Sequence, residues 1–296
     1  MMSCCASCGT SEGDDGIQLR TCTACKSARY CSVTCQRNHR PQHKKACKKR
    51  AAELRDEILF RQPESSHMGD CPICSLPLPL EYDGSVHHEC CSTLVCNGCV
   101  VANVKRIQEE RLEHSCPFCR DVTRKSDVKQ KMMKRVQAND PSAMCQMGAA
   151  RHEEGKYVEA VDYYSKAAEL GDANAHFQLA IMYQDGRGVE KDKKKEVYHW
   201  EEAAIKGQLD ARFGLAQHEM INFRSDRAVK HLIIAANLGH DNSMQALKEC
   251  YKDGLVRKED FTSVLRAHKT AVDATKSPQR EIGMKIMSST KSSTTI

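Results

Sequence analysis

Aromatic side chains are scarce in this sequence: Phe, Trp and Tyr make up 5% of the 296 residues, within a hydrophobic content of 40%. One large core built on stacked rings is therefore excluded, and a chain of this length is expected to divide into two or three domains. Long apolar runs are missing too. No stretch approaches the roughly 20 residues needed to cross a bilayer, so no membrane partner is expected. The opening MMSCCASCGTSEGDDG has no basic segment followed by an apolar one, so no secretory leader is expected. Cysteine is nearly absent from the later chain: of 18 residues, 16 precede position 120 and only Cys145 and Cys250 follow. Such thiol density without a leader points to metal binding in a reducing cytoplasmic or nuclear setting, rather than to a disulfide scaffold. The net charge of +6 is mild, and the basic residues lack interleaved aromatics, so nucleic acid is not an expected partner.

What is present begins with Cys71 to Cys119, which reads CPIC, HHECC, STLVCNGC and CPFC. Three C-x-x-C pairs and a doublet supply eight thiols, enough for two four-coordinate zinc ions. The stretch resembles a RING finger, in which ligand pairs one and three share one ion and pairs two and four the other. The resemblance implies that Cys71, Cys74, Cys96 and Cys99 hold the first ion. Cys116 and Cys119 hold the second with Cys90 and Cys91, and His88 is the alternative to Cys90. The doublet departs from the family, whose second pair is spaced, and Thr93 stands where a His is common. Between the last pairs, VVANVKRIQEERLEH predicts a helix with Val100, Val104, Ile107 and Arg111 on one face.

The first cysteine module runs from Cys5 to Cys47. It pairs C-x-x-C at 5 and 8 and at 22 and 25 with helical spacings at Cys31/Cys35 and His43/Cys47. Pro41 suits the first turn of a second short helix. The string YCSVTCQRNHRPQHKKAC resembles a MYND zinc finger. The resemblance implies one zinc on Cys5, Cys8, Cys31 and Cys35 and another on Cys22, Cys25, His43 and Cys47, with Cys4 and His39 left over. It also implies a groove for proline-containing peptides beside Gln36. Arg40 replaces the aromatic residue usual there, which weakens that expectation. The basic residues Lys44, Lys45, Lys48, Lys49 and Arg50 read as a solvated helix face. In all, four structural Zn2+ ions are expected.

From Asp140 the chain repeats. Ala167-Ala168, Ala203-Ala204 and Ala235-Ala236 are each closed by a glycine, at 171, 207 and 239, while Ala143, Ala175, Ala211 and Ser243 recur at the starts of units. Steps of 32 to 36 residues are the period of helical-hairpin solenoids. The longest unit, with Tyr183, Gly186, Gly188, Val189, Trp200 and Ala203, resembles a Sel-one-like repeat, a relative of the tetratricopeptide repeat. The third unit lacks the glycine loop and should turn more tightly. Gly186-Arg187-Gly188 lacks the strand and lysine of a phosphate loop. Cys145 and Cys250 read as small buried hydrophobes, and Tyr157, Tyr163, Tyr164 and Trp200 as packing residues.

The expected fold is therefore mainly α, with two small zinc-stabilised modules followed by an α-helical hairpin repeat solenoid. The expected layout is a MYND-like finger at 1–50, a helical linker at 51–67 and a RING-like finger at 68–122. A basic linker helix at 123–137, with Val128, Met132 and Val136 inward, leads to repeats at 138–275 and a disordered polar tail at 276–296. The RING resemblance implies a ubiquitin ligase that holds a charged conjugating enzyme and forms no covalent intermediate. Ile73, Leu76 and Pro117 would contact that enzyme, and Arg120 would steady the donor ubiquitin. No residue is expected to act as a catalytic nucleophile. The alternative is a non-catalytic adaptor, with protein partners on the MYND groove and solenoid.

Overall fold

The computed structural model of the chain describes residues 4–13, 16–81, 83–122, 124 and 127–292. Two compact units divide it, Met1–Arg61 and Gln62–Ile296. In the first, strands β1 (Arg20–Thr21) and β2 (Arg29–Tyr30) pair antiparallel and lead into helix α1 (Val33–Leu59). Ser32 caps α1 by accepting from the Cys35 N–H at 3.2 Å. Two short helices were expected around Pro41, but α1 is continuous and carries Pro41 inside it. Proline removes one backbone donor from a helix. The carbonyl it deprives is that of Arg37, on an exposed stretch where water can serve it. The basic run is solvated as expected, with Arg50 paired to Glu53 and Glu57 at 3.2 and 2.9 Å.

The second unit opens with strands β3 (Ser85–His88) and β4 (Thr93–Cys96), an antiparallel hairpin, followed by α2 (Asn97–Glu109). The buried face of α2 carries Cys99, Asn103 and Ile107, while Val100 and Val104 are only half-buried. Arg111 lies beyond the helix end. The predicted stripe was displaced because Asn103, a polar residue, faces inward and donates to the Ser115 carbonyl at 3.0 Å. Next comes α3 (Val128–Gln137), whose expected inward residues are half-buried; Val136 packs on the first repeat cluster.

The solenoid pairs α4 (Pro141–Glu153) with α5 (Tyr157–Glu169), α6 (Ala173–Asp185) with α7 (Lys193–Ile205), and α8 (Leu209–Ile221) with α9 (Ser225–Asn237). It ends in α10 (Asp241–Lys252) and α11 (Lys258–Ala274). The recurring small residues are its contact surface: Ala167, Ala175, Ala203, Ala204, Ala211, Ala235, Ala236 and Ser243 all have no solvent exposure. Each helix that opens a unit is capped three residues before the recurring small residue. Asp140, Asp172, Gln208 and His240 accept there from the N–H groups of Ala143, Ala175, Ala211 and Ser243. Gly207, which ends the second unit, has φ 85°, the left-handed geometry expected of a helix-ending glycine.

The glycine loop at 186–192 is a helix-hairpin turn. A Cβ on Gly188 would sit 2.5 Å from the Tyr157 carbonyl carbon, so this turn seats directly on the preceding repeat. The third unit turns through 222–224 alone, with Phe223 at φ 58°. Tyr164 and Trp200 are buried, and each ring covers a helical glycine, Gly148 and Gly214 respectively. Cys145 and Cys250 are buried as expected, and burial pushes both thiols up.

The expected disordered tail at 276–296 is corrected over 278–292, while 293–296 lie outside the described residues. Residues Pro278–Ser292 form α12, which packs against α2 with Arg280 buried. The tail is polar overall, but Gly283 lets its backbone close on that of α2, where a Cβ would lie 2.6 Å from the Gly98 nitrogen. Among the described residues no helix is long and apolar enough to cross a membrane.

Two stability outcomes follow from this packing. Ala203→Leu should overpack the hairpin and cost about 1–3 kcal/mol in urea unfolding; an unchanged midpoint would contradict the contact. Burial, aided by Arg212 and Arg227, pushes His231 down to about 3, and burial beside His176 pushes His199 to about 4. The unfolded chain binds these protons near the ordinary histidine value and the folded chain does not. Stability contributed by the neutral rings is therefore complete above about pH 6.5 and lost as the pH falls toward 4 and then 3. Melting temperatures across that range should fall less steeply for His231→Leu than for the parent.

Candidate metal centres

The cysteine-rich segments build their sites from one repeated turn. After each C-x-x-C at 5/8, 22/25, 71/74 and 116/119, the next residue takes a left-handed backbone: Gly9, Lys26, Ser75 and Arg120, with φ from 56° to 78°. Its N–H returns to the carbonyl of the first cysteine, at 2.8 to 3.1 Å in the four cases. The first cysteine's own N–H reaches forward to close the loop, as from Cys71 to the Leu76 carbonyl at 2.9 Å. The tight turn leaves backbone N–H groups aimed at sulfur. At Cys71, burial pushes the thiol up, but the N–H groups of Cys96, Cys74 and Ile73 outweigh it and bring it down to about 6. Cys5 is likewise brought to about 6 against its burial by amides of Cys8, Cys31 and Ser7.

Four tetrads result, each with all ligand atoms within 4.8 Å of one another. They are Cys5, Cys8, Cys31 and Cys35; Cys22, Cys25, His43 and Cys47; Cys71, Cys74, Cys96 and Cys99; and Cys90, Cys91, Cys116 and Cys119. Recorded sulfur–sulfur separations run from 3.4 to 3.9 Å, and His43 Nε2 is 3.3 Å from Cys25 Sγ. Tetrahedral zinc with Zn–S bonds near 2.3 Å would set sulfurs about 3.8 Å apart, whereas a disulfide needs about 2.05 Å. Thiolates this close also oppose one another's ionisation. Hydrogen bonding of the Cys31 thiol to Cys35 and Cys8 raises it to about 12, so the set ionises together only around a cation. The donor set, spacing and closure fit four structural zinc ions.

In the later module, pairs one and three form one tetrad and pairs two and four the other, the cross-braced order of a RING-like site. Cys90 takes its place there and His88 does not; His88 Nε2 is buried without a hydrogen-bond partner among the described residues. Adjacent ligands are accommodated because the β3–β4 turn is tight, with Cys91 N–H on the His88 carbonyl at 3.2 Å and Ser92 at φ 52°. The two sulfurs are thereby splayed 3.9 Å apart.

The expected conjugating-enzyme residues are placed unevenly. Ile73 is 44% exposed on the first turn and Leu76 is half-buried. Pro117, expected as a third contact, is buried, and the neighbouring Phe118 is 46% exposed. Arg120 is exposed, but its Nη1 donates to Asn103 Oδ1 at 3.0 Å. Gln36 and Arg40 are exposed one helical turn apart on α1. His39, left over as expected, bonds Tyr30 through Nδ1 at 3.1 Å and stacks on the His43 ring. Sequence reasoning missed Arg280, which touches Cys74 Sγ at 3.3 Å from the far end of the chain; no motif signals such a contact.

Cysteine tetrads on tight turns, together with stacked α-hairpins, define a zinc-finger protein with a helical-repeat scaffold. More narrowly, the chain carries a MYND finger over residues 5–47 and Sel1 repeats over 141–172, 173–208 and 225–240. Both are protein-interaction modules. A 56-residue stretch is 36% identical to HcpC of Helicobacter pylori, described as a candidate beta-lactamase, covering 19% of each protein. A longer stretch is 22% identical to the DAP3-binding cell death enhancer 1 of Mus musculus, over 46% of this chain and 34% of that protein. The matched stretches thus span at most about a third of these curated relatives. A Sel1 repeat protein from Oxalobacter formigenes is similar in structure at TM-score 0.44 and 25% identity, over 60% of this chain and 72% of that one. A protective antigen of uropathogenic Escherichia coli gives TM-score 0.39 at 18% identity, over 55% and 36%.

Metal analysis checks the tetrads. The purified chain should contain four zinc ions with all thiols reduced, and two or fewer would remove one whole module. Chelation should unfold the finger of the first unit, because such small cores draw their folding energy from the metal.

Proposed function

We propose that the chain is a RING-type ubiquitin ligase whose MYND finger and solenoid recruit protein partners in the cytoplasm or nucleus. The observation that carries this reading is the cross-braced pair of tetrads with Ile73 exposed on its first turn. Phe118 adds a second exposed apolar side chain on the last turn. A ligand-saturated zinc site has no open position for water. The chain's contribution would be to hold a charged conjugating enzyme and preorganise its thioester for attack by a substrate lysine. Ile73 and Leu76 would supply apolar contact, Arg120 would supply charge toward the donor ubiquitin, and the solenoid would hold the substrate or an assembly partner.

A second reading, the non-catalytic adaptor, is favoured by two observations. Pro117 is buried, and the Arg120 guanidinium is tied to Asn103. Single-turnover discharge from a panel of charged conjugating enzymes separates the two. On the ligase reading, Ile73→Ala lowers affinity for the cognate enzyme more than about tenfold, as truncation of an interface anchor does. Arg120→Gln leaves that affinity in place and slows discharge. Zinc content and far-ultraviolet signal should match the parent in both. A parent that stimulates no discharge with any conjugating enzyme leaves the adaptor as the function.

A further inference from the structure

The tetrad Cys71, Cys74, Cys96 and Cys99 is the most enclosed of the four: Cys71 and Cys96 have no exposure and Cys99 has 4%. Each of the others keeps a more exposed edge. Four thiolates around one dication leave a double negative charge, and burying that charge without a counterion is expensive. Into this enclosed site α12 brings Arg280, itself only 4% exposed. Its Nη2 donates to Cys74 Sγ at 3.3 Å and to the Leu76 carbonyl at 3.0 Å. Its Nη1 donates to the carbonyls of Pro77 at 2.5 Å and Thr275 at 2.7 Å, and Nε has no partner among the described residues. No carboxylate stands among these partners, so the anion that a buried guanidinium requires is the thiolate cluster.

The contact is built in. Ser277 Oγ accepts the Arg280 N–H at 3.2 Å, and Gln279 Nε2 donates to the Gly98 carbonyl at 3.1 Å. Gly98 and Gly283 are mutually required: a Cβ on Gly98 would lie 2.9 Å from the Arg280 Cα, and one on Gly283 would lie 2.6 Å from the Gly98 nitrogen. The two glycines bring the backbones close enough for Arg280 to reach the sulfur.

We propose that α12 is a part of the RING-like module delivered from the other end of the solenoid. In it, Arg280 is a positioning residue that neutralises the first tetrad and governs how tightly that one zinc is held. The same side chain fixes the carbonyls of Leu76 and Pro77, so it also sets the shape of the turn that displays Ile73. The proposal concerns metal retention and does not require ligase activity.

The test uses the full, zinc-loaded chain, a metallochromic chelator, and thiol alkylation mapped by mass spectrometry. In Arg280→Met, the affinity for one zinc of the four should fall about tenfold to a hundredfold, as loss of a ligand-contacting partner does. Cys71, Cys74, Cys96 and Cys99 should become the reactive thiols. Arg280→Lys, which keeps the charge but not the fork, should recover part of the affinity. Gly283→Ala should lift α12 off α2 without altering any charge, speed amide exchange over 278–292, and weaken the same single zinc. The proposal is overturned if Arg280→Met releases zinc as the parent does. It is equally overturned if Gly283→Ala frees α12 with all four affinities intact. Uniform loss from all four sites would also sink it, since the effect would then be general unfolding.

Discussion

Three or four thiolates cannot share a space 4.8 Å across without a cation between them. That one repulsion governs the finger modules, because their ligands are also their cores. In the MYND finger the buried cluster is Cys5, Cys22, Cys25 and Tyr30; in the RING-like module it is Cys71, Leu78, Val95, Cys96 and Cys99. A cluster that small has little apolar area to offset chain entropy. The free energy that closes it is the free energy of metal binding. The left-handed residue after four of the five C-x-x-C pairs serves the same end, since it turns the backbone so that N–H groups stabilise sulfur as thiolate.

The solenoid solves the stability problem in the opposite way. Its contacts are made by residues too small to resist close approach, and its large side chains occupy gaps opened by glycine, as Tyr164 does over Gly148 and Trp200 over Gly214. Energy there accumulates over many modest contacts between neighbouring hairpins, so a single overpacked alanine is felt by adjacent units. The four capping residues, Asp140, Asp172, Gln208 and His240, keep each hairpin in register by satisfying the first free amides of the next unit.

The sequence made legible what depends on local spacing. Ligand pairs, alanine pairs and helix-ending glycines are all short-range constraints; the joining of ligand pairs into tetrads is what the MYND and RING resemblances implied, and the structure makes the same groupings. The doublet was legible in part: His88 and Cys90 stand two residues apart, and only the turn at Ser92 decides between them. What escaped was long-range or polar. Asn103 and Arg280 are hydrophilic residues on inner faces, which a hydrophobic pattern assigns to the outside. α12 looks like a tail because its docking rests on two glycines and one arginine rather than on an apolar stripe. Pro41 looked like a boundary because local rules treat proline as a helix start, whereas an exposed helix can leave one carbonyl to water.

The same long-range contacts change what the domain layout means. The RING-like module lies within the second compact unit, Gln62–Ile296, together with the repeats. Ahead of it, Gln62 donates to the Ile234 carbonyl at 3.3 Å and the His67 N–H reaches the Gly207 carbonyl at 3.0 Å. At its β-hairpin, His87 lies 3.2 Å from Ser142 and Arg135 donates to Ser92 at 2.7 Å. Behind it, α12 closes on α2. Contacts at three places on the module resist a hinge at any one of them, because rotation about one must break the other two. A partner seated on the repeats is therefore held at a set position relative to the exposed Ile73. For a ligase, such rigidity restricts which substrate lysines come within reach. For an adaptor, it sets the spacing between two bound proteins. In either case the solenoid acts as a ruler as well as a handle, and its length in repeats becomes a functional quantity.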